Sequence, residues 1–532
     1  MRALLAATLT AALACGTASP GAAPDAGADA GPPDLQITVD GPGLVRSEPA
    51  AIDCPGACAA TLGTGAAVTV IAAPLPGAYF TGWSGDCAAA GRALRAGATT
   101  PAACTATFAL AARGWARSYG GATYDWAQAL DATTDGGYVI AGYTGSFGAG
   151  ERDAWIVKLD GDGQIEWQRT YGGPAADEAR AVRQTPDGGY LVAGLTASFG
   201  AGATDVWVLK LDGAGVIEWQ RTYGGAAADQ ANGLALLPGG GALVVGQTES
   251  FGAGDRDGWV LQIDAQGEVV WQRTYGGAGM DTASAVVALA DGALVVGSAK
   301  SFTADGLPDV WVMRLDAAGV PRWQETLGGD NFDYGYAVAP TADGGFVVCG
   351  WTASFGASVT DAWVLKLTAA GAVEWQRAYR GDDVDAAEAV VPLPDGGYLL
   401  AGVTWSFGAG GKDFWLLRLD PAGDIVWQKT YGGPVWDWAH ALQAGRDDTF
   451  VAAGHSMSFG PGEYAMWVVK VDGDGACGTA DGALGQVTTA VAVETGAAAV
   501  PVAATVGTTT VSAAPSTAAG EPSTASAITQ YP

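Results

Sequence analysis

The stretch 167–218, WQRTYGGPAADEARAVRQTPDGGYLVAGLTASFGAGATDVWVLKLDGAGVIE, decides the fold because it recurs. Its opening Trp167 belongs to a ladder with Trp115, Trp219, Trp271, Trp323, Trp375 and Trp427, every step being 52 residues. A second ladder of the same step runs through Trp155, Trp207, Trp259, Trp311, Trp363, Trp415 and Trp467. A fixed period of this size marks an array of similar supersecondary units. Within one copy, DEARAVRQT, GYLVAGLTA, DVWVLKLD and VIEWQRTYG are strand-like runs. The turns Pro186-Asp187-Gly188-Gly189 and Gly213-Ala214-Gly215 supply the positive φ of tight hairpins. Strands joined only by hairpins make an antiparallel meander, and several such sheets set radially make a β-propeller.

The ends of the array predict how the ring closes. The first tryptophan strand, 115–120, stands ahead of any other strand. After Trp427, three strands (DWAHALQAG, TFVAAGHSM, AMWVVKVD) follow and a fourth is missing. The N-terminal strand can complete that last sheet, which removes an exposed edge and predicts seven four-stranded blades over residues 115–475. The fourth copy loses a residue at Asp291-Gly292-Ala293 and regains one before Asp309, so the period of the outer strands is what is conserved along the chain. The expected class is all-β: a seven-bladed propeller with a small β module before it.

Charge narrows the partners. The 532-residue chain carries 26 basic and 55 acidic residues, a net charge of −29, and offers no basic face for nucleic acid or an anionic membrane. Arg2 followed by the apolar run 3–14 reads as a signal peptide, residues 1–14, too short to span a bilayer as a helix. Ala12-Leu13-Ala14-Cys15-Gly16 resembles a bacterial lipobox, which implies lipidation of Cys15; Ala12 stands where that motif usually has Leu, so cleavage by ordinary signal peptidase is the alternative. Residues 15–33, rich in Ala, Gly, Pro and Asp, read as the lipidated cysteine and a flexible tether. The expected location is the bacterial cell envelope, as an outer-membrane or surface lipoprotein whose only membrane contact is the lipid, or otherwise the medium. Residues 478–532 read as an Ala/Thr/Val-rich low-complexity tail.

Residues 34–110 contain the β-type runs LQITV, AAVTVIAAP and CTATFAL. With Gly41, Gly43, Pro49, Cys54, Cys58, Phe80, Gly82, Trp83, Ser84, Gly85 and Cys87 they resemble the divergent internalin-type bacterial repeat module, often found beside other domains in exported proteins. In an oxidising compartment Cys54 with Cys58, and Cys87 with Cys104, are the sensible pairs. The alternative is a four-cysteine zinc site, which the 17-residue spacing of the second pair fits poorly.

The repeat itself, TYGG…DGGY…SFGAG…DVWVLKLD…W, resembles one common in exported proteins of bacteria and archaea, of quinoprotein or kelch-like propeller type. That resemblance implies the fold and no activity. Quinoprotein dehydrogenases have eight blades and a Ca²⁺-bound cofactor, often with a vicinal disulfide; here seven copies and no adjacent cysteines occur. The Asp-box spacing of sialidase-like propellers is also absent, since Asp212 lies seven residues before Trp219.

Two aspartate series follow the period. Asp125, Asp177, Asp229, Asp281, Asp333, Asp385 and Asp437 follow the YGG-type turn; Asp153, Asp205, Asp257, Asp309, Asp361 and Asp413 precede the second tryptophan, with Ala465 as the seventh member. By propeller geometry both lie in connections on one face. The first series is a weak candidate for a carboxylate ring holding Ca²⁺, the one cofactor considered; equal presence in every copy favours aspartates that accept backbone N–H groups and lock their own loops. Asp160-Gly161-Asp162-Gly163 and Asp472-Gly473-Asp474-Gly475 lack the later ligands of an EF-hand and read as hairpin turns. His440 and His455 read as surface or loop histidines, and Cys349 as a buried small residue of an apolar strand.

A single site must break the symmetry, so departures from the repeat are the better clues. Trp126, Asn331, Phe332, Tyr334, Tyr336, Trp436 and Trp438 depart in or near the outer-to-inner connections; Arg256, Lys300, Trp351, Trp405 and Lys412 depart near the second connection. Among these Trp126, Phe332, Tyr334, Trp405, Trp436 and Trp438 are the candidate ligand-binding residues, suited to stacking on sugars or clasping a peptide; the competing role is to cover gaps between blades. No catalytic constellation is evident. The expected function is a non-enzymatic cell-surface or secreted protein that binds a protein or glycan partner at one propeller face. The alternatives are a polysaccharide-active hydrolase or lyase, a quinoprotein-like enzyme, and a structural spacer without ligand.

Overall fold

The computed structural model describes residues 35–41, 43–62, 67–75, 78–87, 93–97, 102–110, 114–355, 359–445, 448–460, 462–477, 514–515 and 521–522. The signal peptide, Cys15 and the tether lie outside the described residues, as does all of the tail except its two last-named pairs. Every regular element among the described residues is a strand.

Nine sheets form. Two belong to residues 35–110: in one, Leu35–Asp40 runs parallel to Ala102–Leu110, and in the other, Gly43–Glu48 pairs antiparallel with Ala67–Pro74. Their facing sides share a core of Ile37, Val45, Val70, Phe80, Trp83 and Phe108. The disulfides are Cys54–Cys58 and Cys87–Cys104, which rules out a zinc site made of the four thiolates.

The other seven sheets follow the 52-residue period. In the second copy Asp177–Gln184, Tyr190–Thr196, Asp205–Leu211 and Ile217–Tyr223 make an antiparallel meander. The two middle strands are buried along their whole length, as sheets sandwiched between neighbouring sheets require, while the outermost is half exposed. The first strand of each sheet lies against the first strand of the next, and that of the seventh sheet, Asp437–Ala444, lies against that of the first, Asp125–Ala132. The seventh sheet takes its outer strand from the start of the array: Ala116–Tyr119 pairs with Ala465–Asp472, Tyr119 opposite Met466. From the tail, Ala514–Pro515 and Glu521–Pro522 add two-residue strands beside Val269–Tyr275 and Ile217–Tyr223.

The two tryptophan ladders have different duties. The second is buried in the boundaries between sheets: each of Trp155, Trp207, Trp259, Trp311, Trp363, Trp415 and Trp467 packs against a phenylalanine of its own SFGAG-type loop, such as Phe199 on Trp207 at 5.7 Å between ring centroids. The first ladder docks forward onto the next sheet. Trp167 Nε1 donates to Gly213 O at 3.2 Å, and its ring covers Gly215, where a Cβ would lie 2.8 Å from the indole. Gly215 also has φ +75°, which L side chains disfavour. Tyr171 Oη donates to Gly215 O at 2.6 Å. The same tyrosine bond recurs from Tyr119, Tyr223, Tyr275, Tyr379 and Tyr431 to a glycine 44 residues on. Only for the fifth hairpin, which carries Gly371, does the tyrosine position hold a leucine, Leu327.

Tyr275→Phe leaves the buried Gly319 carbonyl without its donor and is expected to cost about 1–2 kcal/mol. Leu327→Tyr supplies the missing donor for Gly371 and is expected to raise the midpoint of unfolding. Both are read by thermal or urea denaturation; equal stability of Tyr275→Phe and wild type would show that the bond is not a joint.

Candidate functional site

The site is built from the first two strands of each array sheet. Each first strand has a bulge: in the second copy Ala179 pairs with Gly194 and Ala181 with Ala193, so Arg180 is left out of the ladder. The partner must be glycine, since a Cβ at Gly194 would lie 1.9 Å from Glu178 O. The bulge recurs in all seven sheets, and the residue it frees is different every time: Gln128, Arg180, Asn232, Ser284, Tyr336, Glu388 and His440. Neighbours in this column meet from sheet to sheet. Arg180 Nη1 donates to Asn232 Oδ1 at 3.1 Å, and His440 Nδ1 lies 4.0 Å from Glu388 Oε2.

The cross-strand pairs just before the bulge are equally varied. Around the array they are Trp126/Tyr143, Glu178/Leu195, Gln230/Gln247, Thr282/Ser298, Tyr334/Trp351, Ala386/Val403 and Trp438/His455. Polar side chains occupy the third and fourth sheets; aromatic ones gather on the fifth, seventh and first. Trp126 stacks on His455 (3.9 Å between centroids) and Tyr143 (5.5 Å), so it bridges the first and last sheets. Trp438 stacks on His440 at 5.5 Å. His455 is buried, and burial, with His440 and Lys412 nearby, holds its imidazole well below the ordinary range, so it is neutral. His440 Nε2 and His455 Nδ1 are 3.2 Å apart, a hydrogen bond between the two rings. Both histidines therefore sit in strands within an aromatic cluster, which corrects their reading as surface or loop residues; a histidine stacked between sheets has no local sequence signal.

Beside this cluster, Trp405 and Trp436 are 40% and 45% exposed, with rings 6.5 Å apart and 23° from parallel. Lys412 Nζ stands 5.0 Å from the Trp405 ring, 4.6 Å from Trp436 and 4.1 Å from Trp438. Burial lowers the Lys412 pKa. Of the other sequence candidates, Phe332 is exposed and Tyr334 stacks on Trp351 at 4.7 Å, with Trp351 Nε1 donating to Tyr336 Oη at 2.7 Å. Arg256 pairs with Glu249 at 3.1 Å. Cys349 is buried in its strand, as its apolar neighbours implied.

The repeated aspartates are joints of the loops. Asp177, fully buried, accepts from Gly173 N at 2.8 Å and Ser198 Oγ at 2.7 Å, and from Thr196 Oγ1. Asp125, Asp229, Asp281, Asp333, Asp385 and Asp437 each accept from the equivalent glycine and serine. Asp205 accepts from Ala201 N and Gly202 N and closes its SFGAG loop. Among the described residues no three His, Cys, Asp or Glu side chains converge on a common metal position. The two series do meet in pairs: a Cβ at Gly224 would lie 1.8 Å from Asp205 Oδ1 and 2.8 Å from Asp229 Oδ2. Burial, with Asp333 and Asp305 nearby, pushes Asp309 up to about 7; burial also lifts Asp413 to about 7, with Asp437 adding to it, and Asp257 to about 6. The Ala465 substitution leaves the closing boundary without such a pair.

No family model matches the chain, and no curated protein does. Among solved structures it is similar to Sqt1 from Chaetomium thermophilum (11% identity over 67% of this chain and 99% of that one, TM-score 0.39). It is similar also to a protein of unknown function from Dyadobacter fermentans (15%, 67% and 99%, 0.37) and to the Pan2 WD40 domain of Neurospora crassa (10%, 66% and 97%, 0.36). Likeness at this level carries no functional argument.

The raised aspartates set a sign for pH dependence. An aspartate whose folded pKa lies above its ordinary 3.8 holds a proton that the unfolded chain releases first, so its stabilising contribution is lost as pH rises from about 4 through about 7. The midpoint of thermal unfolding is expected to be higher at pH 5 than at pH 8, and Asp309→Asn to narrow that difference. A midpoint that rises from pH 5 to pH 8 would contradict it.

Proposed function

We propose that this is an exported, non-enzymatic binding protein: a seven-bladed propeller closed by its N-terminal strand, which engages a glycan through the aromatic sector of one face. The observation that carries this is asymmetry. In a scaffold whose joints repeat every 52 residues, the off-period Trp126 and Trp438 stack on the histidine pair, Trp405, Trp436 and Trp438 stand within 5.0 Å of Lys412 Nζ, and Trp405 and Trp436 lie near-parallel and exposed. Exposed indoles beside a polar rim suit the apolar face of a pyranose ring. Two disulfides suit an oxidising compartment, in keeping with the export signal and lipobox read at residues 1–16.

A second reading, an enzyme acting on polysaccharide, draws on Tyr336, Glu388 and His440, which occupy adjacent places in the bulge column. Hydrolysis of a glycosidic bond ordinarily needs two carboxyl groups. The other carboxylate among the bulge residues and the cross-strand pairs before them, Glu178, is engaged by Arg152 at 2.6 Å and Arg180 at 2.9 Å, so a binding role is favoured. New reducing ends released from a polysaccharide by wild type and not by Glu388→Gln would reverse that preference.

Trp405→Ala and Trp436→Ala remove exposed rings and are expected to weaken glycan binding about tenfold or more while leaving the unfolding midpoint within a few degrees of wild type. The measurement is binding to an immobilised glycan panel beside thermal denaturation. No binding by wild type across the panel, or unchanged binding by both variants, would defeat the proposal.

A further inference from the structure

We infer that the sugar bound at Trp405 and Trp436 is acidic, a uronic-acid residue whose carboxylate pairs with Lys412. This rests on the glycan reading above and adds to it the charge of the ligand.

The inference comes from comparing one repeat position. The residue just before the second-series position, Asp in six copies and Ala465 in the seventh, is Arg152, Thr204, Arg256, Pro308, Thr360, Lys412 and Tyr464 in turn. Three of these are cations. Arg152 is paired with Glu178 at 2.6 Å, and Arg256 with Glu249 at 3.1 Å. Lys412 has no carboxylate partner among the described residues. Three indoles stand around it instead, Trp405, Trp436 and Trp438, between 4.1 and 5.0 Å from its Nζ. Indole faces attract an ammonium ion and hold it in place, yet they leave its charge unneutralised and its N–H donors without oxygen acceptors.

The loop is shaped for this arrangement. Gly411 precedes Lys412, and a Cβ there would lie 2.8 Å from Trp436 Cδ1, so glycine lets the indole lie against the loop backbone. Lys412 O accepts from Asp437 N at 2.7 Å, which fixes the lysine backbone to the next sheet. The cation is thus positioned by the scaffold between two exposed rings. In the proposed pose a pyranose packs against Trp405 or Trp436 on the side where Nζ stands, within 5.0 Å of both ring centroids, and a carboxylate is the substituent that satisfies the ammonium. A neutral sugar would leave a partly desolvated cation unpaired. The chain's net charge of −29 opposes a polyanion at long range. At physiological salt that opposition is screened beyond about 8 Å, so the contact at Lys412 decides.

The test uses the mature protein and three probes: tetramers of galacturonic, glucuronic and mannuronic acid, each beside its methyl ester, which keeps the ring and removes the charge. Isothermal titration is expected to show at least one acid binding more tightly than its ester by roughly tenfold to a hundredfold. Lys412→Met is expected to abolish that difference, and Lys412→Arg to keep most of it. If ester and acid bind alike, or Lys412→Met leaves the preference intact, the charge assignment is wrong while the glycan reading stands. If neither acids nor esters bind and neutral glycans fail as well, both fall. Tighter binding of a poly-glutamate peptide than of any uronate would assign the lysine to a protein partner and overturn the inference.

Discussion

Everything in the array depends on a forward clasp: a tyrosine hydroxyl and an indole N–H on the outer strand of one sheet, both donating to the hairpin of the next. Tyr223 reaches Gly267 O at 2.6 Å and Trp219 reaches Ala265 O at 3.1 Å, so one strand satisfies two carbonyls of a turn that no ladder could satisfy. The glycine under the indole has positive φ because the turn needs it, and lacks a side chain because the ring covers it. Two constraints thus fall on one residue, and the clasp holds the period at 52 even where the fourth copy shifts a residue between its loops.

That clasp explains why the architecture was more legible in the sequence than the site was. Trp, Tyr, Gly and Asp at constant spacing are joints, and a joint must recur. The bulge column is the reverse. Gln128, Arg180, Asn232, Ser284, Tyr336, Glu388 and His440 share only a backbone irregularity, and a bulge leaves no side-chain signature of its own. One signal was present: the invariant Gly opposite each bulge, Gly142 in the first sheet and Gly454 in the last, sits inside a strand where glycine is otherwise unfavourable. Off-period aromatics such as Trp126 and Trp438 could be flagged by arithmetic alone. That Trp126 would rest on His455, more than three hundred residues away, required the ring to close.

The buried carboxylates show how a very acidic chain arranges its charge. Asp309 and Asp333 face one another across a glycine, and burial, with Asp333 nearby, raises the pKa of Asp309 to about 7. Gly329 N and Ser354 Oγ donate to Oδ2 of the other. Some of the other carboxylates are paired with cations, as where Lys158 meets Asp135 and Glu166. Lys412 takes no part in such pairings among the described residues, and it lies beside the exposed Trp405 and Trp436.

The shared seventh sheet also orders events in time. Ala116–Tyr119 is the first array strand to be made, and its partner Ala465–Asp472 is the last. Until the final meander emerges, the early strand has no ladder to join, and the outer edge of the seventh sheet and the face of the first are uncovered. Pairing over so long a loop costs entropy that only the completed array repays. Nascent chains stalled short of residue 465 would therefore present an open edge and an unmated face, the state in which such a ring is most prone to join another copy in place of itself.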